Sequence, residues 1–181
     1  QLIEQLDLKP EYKSIWGTTV FSPNQKKLKV NFRGLDKQEG VPSSYSSKRI
    51  DFDNMLLQEA KKHPAITVIE ECELKDAEKV ADGYLLQPKG NQTKIHANLL
   101  VLASGSNSPF AQKIGGLHRE AQHFGLGIRG YFKGISQLED ENCSELFFLK
   151  ELLPGGLYIC PMGNDYYNVN IVMRSDVAIK K

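Results

Sequence analysis

The stretch NLLVLASGSNSPF, residues 98–110, decides how the fold of this chain is interpreted. After Asn98 comes an apolar run, Leu99 to Ala103, which stops just before Gly105 and a string of small polar residues. A continuous apolar run of this kind is typical of a strand that is covered on both faces, so we predict a buried strand here. Ser108 and Pro109 then predict a short helix, because serine caps helices well and proline is tolerated in the first turn.

The residues that follow this strand have two interpretations. Glycine has no Cβ, so a ligand can approach the main chain at Gly105, and N–H groups at a helix start can bind a phosphate or a sugar. The same residues also fit an ordinary turn, in which Ser108 caps the helix and binds nothing. Taken alone, the motif favours the ordinary turn.

The N-terminal half predicts a β-hairpin followed by a helix and further strands. Alternation on both sides of the turn sequence SPNQ, residues 22–25, predicts that residues 16–22 pair with residues 27–33. Strands are also predicted at residues 66–70 and, about a turn at residues 88–91, within residues 80–97.

The segment RIDFDNMLLQEAKKHP, residues 49–64, has apolar residues at helical spacing. We predict a helix that Asp51 or Asp53 caps and that Pro64 ends. The last third differs, because it contains a series of strand candidates at residues 121–132, 144–151, 155–161 and 166–174. One buried strand, one helix and an antiparallel series predict an α+β or mixed α/β fold rather than a regular βαβα array.

Composition excludes several function classes. The chain has 181 residues with 23 Lys+Arg and 22 Asp+Glu, and it lacks the basic surface that phosphate neutralisation requires, so no nucleic-acid partner is expected. No apolar run is long enough for an integral membrane segment, and no signal peptide is recognisable. The three cysteines form no C-x-x-C pair, so we expect no disulfide framework, no metal site and a cytoplasmic location.

Four blocks in this order resemble one family of flavoproteins. They are YSSKRIDFDNMLLQEA (residues 45–60), LVLASGSNSP (100–109), GIRGYFKGIS (127–136) and LFFLKELLPGGLYICPMGNDYYNVNIVM (146–173). Together they resemble FAD-dependent reductases and hydroxylases with the p-hydroxybenzoate hydroxylase fold, nearest the geranylgeranyl reductase branch. The resemblance implies part of an FAD-binding Rossmann-like domain interwoven with an antiparallel substrate-domain sheet.

The same resemblance implies a division of the chain and a set of site residues. Residues 14–43 would form a substrate-domain hairpin and loop, residues 44–116 part of the FAD-binding domain, and residues 117–181 the antiparallel strands of the substrate domain. The expected cofactor contacts are Arg49, Ser104, Gly105, Asn107 and Ser108. The expected substrate contacts are Tyr158 and Phe147. No catalytic side chain is assigned, because a flavin carries the hard chemistry itself.

The chain departs from the family pattern in three ways. Ser104 stands where the family usually has an aspartate, so a hydroxyl replaces a carboxylate. The family commonly has aromatic residues at Gly156, Tyr158 and Cys160, which implies a pocket of altered shape. A G-x-G-x-x-G turn and a late glycine-aspartate motif are missing, so we interpret the chain as an internal fragment that by itself binds FAD weakly or not at all.

The expected function is that of an FAD-dependent oxidoreductase. It would reduce a small apolar substrate, such as an isoprenoid, with hydride taken from NAD(P)H or another donor. One alternative is an FAD-dependent aromatic monooxygenase, which would use the flavin to activate oxygen. The other is a non-catalytic α+β binding module in which the glycine motif is only a turn. The sequence leaves the substrate and the oligomeric state open.

Overall fold

The chain is described by a computed structural model over residues 12–31, 42, 44–90, 93–116, 120, 123–136 and 138–178. It forms two compact units, one made of Gln1–Lys62 and Ala121–Lys181 and the other of His63–Glu120. In chain order the described elements are β1 (Lys13–Ile15), β2 (Gly17–Phe21), β3 (Lys27–Asn31), β4 (Ser44–Ser46), α1 (Arg49–Lys62), β5 (Leu74–Val80), β6 (Gly83–Pro88), β7 (Ile95–Ala97), α2 (Pro109–Lys113), β8 (Gly125–Lys133), β9 (Cys143–Phe147), a 3₁₀ turn (Lys150–Leu152), β10 (Gly155–Gly163), β11 (Tyr166–Arg174) and α3 (Ser175–Ala178).

The first unit is built on a six-stranded sheet with the order β3-β2-β9-β10-β11-β8. All neighbouring strands are antiparallel except β2 and β9, which run parallel and bring Gly17 opposite Cys143. The hairpin predicted about residues 22–25 is confirmed, and residues 32–33 of that prediction lie outside the described residues. The strands predicted in the last third are confirmed as β8 to β11.

The core of this unit lies at the centre of the sheet, on β2, β9 and β10. Thr19 and Ser144 are the most deeply buried side chains, each 1% exposed. Cys143, Cys160 and Met162 are buried around them. A second, two-stranded sheet of β1 and β4 contacts β10, and Cys160 donates a hydrogen bond from Sγ to Ser46 Oγ at 3.4 Å. One face of the large sheet is therefore covered by β1 and β4 at this point.

The predicted helix exists, but it starts differently from the prediction. It begins at Arg49 and ends at Lys62, two residues before Pro64. The expected cap at Asp51 or Asp53 is wrong, because the carbonyl of Lys48 already accepts the N–H of Phe52 and Asp51 lies inside the first turn. Asp51 is favourable there because a negative charge complements the helix dipole.

The second unit holds a three-stranded antiparallel sheet in the order β5-β6-β7. The strands predicted on either side of residues 88–91 are confirmed as β6 and β7, whereas β5 was not predicted. The short helix predicted after Ser108 is confirmed as α2. Among the described residues, no helix is both long and apolar enough to cross a membrane.

Two strand predictions in this unit are wrong. Residues 66–70 and residues 98–103 have no strand structure, and the side chains of Leu99 and Val101 are 77% and 76% exposed. Within the described residues, neither segment has a neighbouring strand to pair its backbone N–H and C=O groups. Strand formation requires such a neighbour, so the apolar run alone does not produce a strand.

Candidate functional site

A cavity of about 460 Å³ lies on the covered face of the large sheet. Its lining comes from β1, β4, the start of α1 and three strands of the sheet, and it includes Arg49, Phe52, Arg129, Tyr158, Cys160 and Asn168. We call this space the sheet cavity. Arg49 and Tyr158 both line this cavity. The sequence analysis expected them to contact different ligands, Arg49 a cofactor and Tyr158 a substrate.

Strand register explains which side chains form the floor of the sheet cavity. Tyr158 pairs with Asn170 on β11, and Asn170 in turn pairs with Arg129 on β8. One step along, Cys160 pairs with Asn168, which pairs with Tyr131. Since paired residues in a sheet point to the same face, these two rows present their side chains together.

Tyr158 is a half-buried phenol at the β10 side of this floor. Burial raises the pKa of Tyr158 to about 12, and a hydrogen bond to Ser144 opposes that shift. The Ser144 hydroxyl also lies 2.7 Å from Thr18 Oγ1, so three hydroxyls connect β10, β9 and β2. Tyr158 therefore stays protonated at neutral pH and can act as a hydrogen-bond donor in the cavity.

Arg49 lies at the start of α1, where its side chain is exposed. Its Nε and Nη2 atoms donate to the Asp53 carboxylate at 3.0 Å, one helical turn away, and this pairing raises the pKa of Arg49. Its backbone N–H donates to the hydroxyl of Tyr131 at 3.4 Å. Arg49 therefore lines the sheet cavity with a guanidinium that is already paired with the Asp53 carboxylate.

Phe147, the second expected substrate contact, is not brought together with Tyr158. Phe147 pairs with Leu157, and neighbouring residues on a strand point to opposite faces, so Phe147 and Tyr158 lie on different faces of the sheet. Phe147 stacks on Phe21 with ring centroids 4.4 Å apart. Its role as a substrate contact stays a prediction.

The loop with the remaining expected cofactor contacts belongs to the second unit. Ser104 Oγ donates to Ser108 Oγ at 2.6 Å, and the N–H of Ser108 donates to the carbonyl of Gly105 at 3.1 Å. Gly105 has a φ of 87°, and a Cβ placed there would meet no atom within 4 Å. Ser108 is buried, whereas Ser104, Gly105 and Asn107 are exposed. The loop is a self-bonded turn that is open to solvent at the glycine.

The structure adds two residues that the sequence did not single out. Arg129 and Asn168 both line the sheet cavity. The sequence does contain a signal that could have identified them, since each is a polar residue within a predicted strand. Arg129 interrupts the apolar strand GLGIRGYF, and Asn168 lies in the alternating segment YYNVN. No group of three or more histidine, cysteine, aspartate or glutamate side chains in the described part of the chain is arranged to hold a metal ion.

Comparison with known proteins identifies similar chains, although no family model matches. A curated relative is digeranylgeranylglycerophospholipid reductase 1 of Methanothermobacter thermautotrophicus, which is 25% identical over 181 residues. The match covers 96% of this chain and 44% of the relative. The chain therefore spans less than half the length of the curated relative it matches.

Solved structures show the same fold. A geranylgeranyl bacteriochlorophyll reductase-like protein from Thermoplasma acidophilum matches with a TM-score of 0.76 and 16% identity, over 97% of this chain and 45% of that one. The flavin-dependent halogenase CmlS matches with a TM-score of 0.75 and 20% identity, over 99% of this chain and 32% of that one. The chain therefore has part of the fold that these two proteins share. The resemblance and the mixed α+β class predicted from the sequence are confirmed.

Proposed function

We propose that this chain is part of an FAD-dependent oxidoreductase that reduces an apolar, isoprenoid substrate. The observation that carries the proposal is the lining of the sheet cavity, to which both Arg49 and Tyr158 contribute. The reductase named for the curated relative supports the same reaction class. The six-stranded sheet, in which β2 and β3 join β8 to β11, supports the assignment of residues 14–43 and 117–181 to one substrate-binding part. Of residues 44–116, which we assign to the cofactor part, residues 44–62 belong to the same compact unit as that sheet.

The residues present fit a flavin. Each unit by itself contains a group suited to a dinucleotide. In the first unit, Arg49 offers a guanidinium that can bind a phosphate. In the second unit, the exposed turn at Ser104, Gly105 and Asn107 leaves room for a ligand at the main chain. Ser108 would support this turn through its bond to Ser104 rather than through its N–H, which is already used. Bound FAD would supply the hydride transfer, and NAD(P)H is the proposed source of electrons.

The chain's own residues would bind and orient the substrate. Ile15 and Phe52 give the sheet cavity apolar walls, and these suit a hydrocarbon chain. Tyr158 provides a protonated hydroxyl within the same cavity, because its pKa is about 12. The Ser144 hydroxyl, which is itself hydrogen-bonded to Thr18 Oγ1, holds this phenol in place. The family commonly has a larger indole at this position, so the phenol leaves more room and adds a hydrogen-bonding group.

The test uses the full-length protein that carries this chain. We expect it to purify with bound FAD and to reduce an isoprenoid double bond in the absence of oxygen. Tyr158→Phe should change kcat or substrate preference, while Tyr84→Phe, in the second unit, should leave both unchanged. Turnover that stops without oxygen and gives a hydroxylated product would instead identify a monooxygenase. A folded protein that retains no flavin would identify a binding module.

A further inference from the structure

Three hydroxyl groups lie in a row across neighbouring strands of the large sheet. Thr18 pairs with Ser144 across the parallel strands β2 and β9, and Thr18 Oγ1 lies 2.7 Å from Ser144 Oγ. Ser144 in turn forms a hydrogen bond with the phenol of Tyr158 on β10. Ser144 is 1% exposed, whereas Tyr158 is half-buried and lines the sheet cavity. The row therefore runs from β2 to the cavity and ends there at the phenol.

The number of protons in this row indicates the direction of its hydrogen bonds. Each hydroxyl has one proton to donate, and its oxygen can accept two hydrogen bonds. In the described part of the chain, the Thr18 hydroxyl bonds to Ser144 alone, so the Thr18 proton is directed at Ser144. Ser144 can then donate to Tyr158 or to the Gly17 carbonyl, which lies 3.4 Å away. That distance exceeds the usual range of an O–H···O bond, so the phenol oxygen is the better acceptor.

A bond donated by Ser144 leaves the proton of Tyr158 for a ligand. Burial raises the pKa of Tyr158 to about 12, so the phenol keeps this proton at neutral pH. The Cys160 thiol also lies close to the phenol, but sulfur is a weak acceptor. The cavity walls at Ile15 and Phe52 are apolar and offer no side-chain acceptor. A ligand oxygen in the cavity is therefore the strongest acceptor that the phenol can find there.

We propose that Thr18 and Ser144 are positioning residues that direct the Tyr158 hydroxyl into the sheet cavity, where it donates a hydrogen bond to an uncharged oxygen of the substrate. Thr18 donates to Ser144, Ser144 donates to Tyr158, and Tyr158 donates to the substrate. An indole, which the family commonly has in place of this phenol, accepts no hydrogen bond, so the row depends on the tyrosine of this chain. The inference deepens the proposed function and rests on it for the apolar body of the substrate.

The test measures ligand binding to the full-length, flavin-loaded protein by equilibrium dialysis. The probes are geranylacetone, an isoprenoid ketone whose carbonyl only accepts hydrogen bonds, and the hydrocarbon in which a methylene group replaces the carbonyl oxygen. The measured quantity is the ratio of the ketone affinity to the hydrocarbon affinity, because the cost of removing the ketone from water is then the same for every variant. Tyr158→Phe should lower this ratio by about threefold to tenfold, the size of one neutral hydrogen bond.

Two further variants test the direction of the row. Thr18→Val removes the donor to Ser144, so Ser144 can accept the Tyr158 proton, and the ratio should fall by about threefold or more. Ser144→Ala removes that competing acceptor, so Tyr158 still donates to the ketone and the ratio should stay close to that of wild type. Adding Ser144→Ala to Thr18→Val should restore the ratio. Thr19→Val is the matched control, because Thr19 is the next residue of β2 and points to the opposite face, and it should leave the ratio unchanged.

Three results would overturn the inference. The same ratio in wild type and Tyr158→Phe would show that the phenol does not bind the carbonyl. A fall in Ser144→Ala as large as that in Thr18→Val would show a merely structural effect, since Ser144 is the nearer of the two to Tyr158. An equal fall in Thr19→Val would show a general effect of substitutions on β2. The expected ratios in a protein that reduces no isoprenoid would keep this inference and reject the proposed function.

Discussion

At the scale of single residues, two glycines of the large sheet differ in what surrounds them. A Cβ added to Gly155 would lie 2.1 Å from the carbonyl oxygen of Val172 and 2.9 Å from the Cα of Met173. A Cβ added to Gly127 would meet the side chain of Val172 at 3.8 Å, which is an ordinary contact. Gly155 is therefore required by the close approach of β10 to β11, whereas Gly127 is not.

Gly155→Ala is expected to lower the free energy of unfolding by about 1–3 kcal/mol, because backbone atoms must move to admit the methyl group. Gly127→Ala is the control and should change it by less than about 1 kcal/mol, since its surroundings already accept a Cβ. Urea denaturation followed by circular dichroism measures both. Equal effects of the two substitutions would show that the contact at Gly155 does not govern stability.

At the scale of elements, the connection between β8 and β9 is attached to the edge of the sheet. Lys27 and Lys29 on β3 form ion pairs with Glu139 and Asp140, each at 2.8 Å. The N–H of Glu139 donates to the buried carboxylate of Glu145 at 2.8 Å. Lys29 and the Asn142 N–H together lower the pKa of Asp140. The two ion pairs join this loop to a strand that is more than a hundred residues earlier in the chain.

This attachment predicts a pH-dependent contribution to stability. The pKa of Asp140 is lower when folded, so its contribution is present above the unfolded value of about 3.9 and is lost as the pH falls through the folded value. Asp140→Asn should remove that part of the acid dependence. Lys29→Gln should remove only the share due to Lys29, because the Asn142 N–H still lowers the pKa of Asp140. A double-mutant cycle by urea denaturation measures their coupling, which should be small and should vanish near ~1 M salt. Fully additive effects at low salt would contradict the pairing.

At the scale of the whole molecule, the two units differ in how their backbone is paired. The strands β9, β10 and β11 lie inside the large sheet with partners on both sides. Residues 66–70 and 98–103 of the second unit have exposed apolar side chains and no strand partner in the described part of the chain. Amide exchange is slow only where hydrogen bonds and packing protect the backbone.

Amide hydrogen exchange of the 181-residue chain should therefore differ in rate between the two units. We expect the amides of β10 and β11 to be the most protected and those of residues 98–103 to exchange about as fast as an open loop. Peptide-level mass spectrometry measures this difference. The same peptide in the full-length protein should gain protection if residues 98–103 form the strand that their composition favours. Equal protection of both regions in the 181-residue chain would contradict the expectation.

The errors of the sequence analysis have a common physical cause. The apolar composition of residues 98–103 indicates a preference for a buried strand. A strand also needs a neighbouring strand to pair with its backbone, and composition does not show whether one is present. The helix cap was misplaced for a related reason, because Asp53 forms a bond to Arg49 one turn away instead of capping. In both cases the local preference was recognised correctly, but the interaction partner that the prediction assumed is not the one in the structure.

The sequence by itself determined the features whose signal is local. The turn at residues 22–25 with alternation on both sides specified the β2–β3 hairpin, helical spacing specified α1, and ordered motifs specified the flavoprotein fold. Only the tertiary structure decided that β2 runs parallel to β9, that Phe147 and Tyr158 lie on opposite faces, and that Arg49, Tyr158 and Asn168 line one cavity. These facts depend on strand order and register between distant segments, and a shift of one residue would reverse which face each side chain occupies.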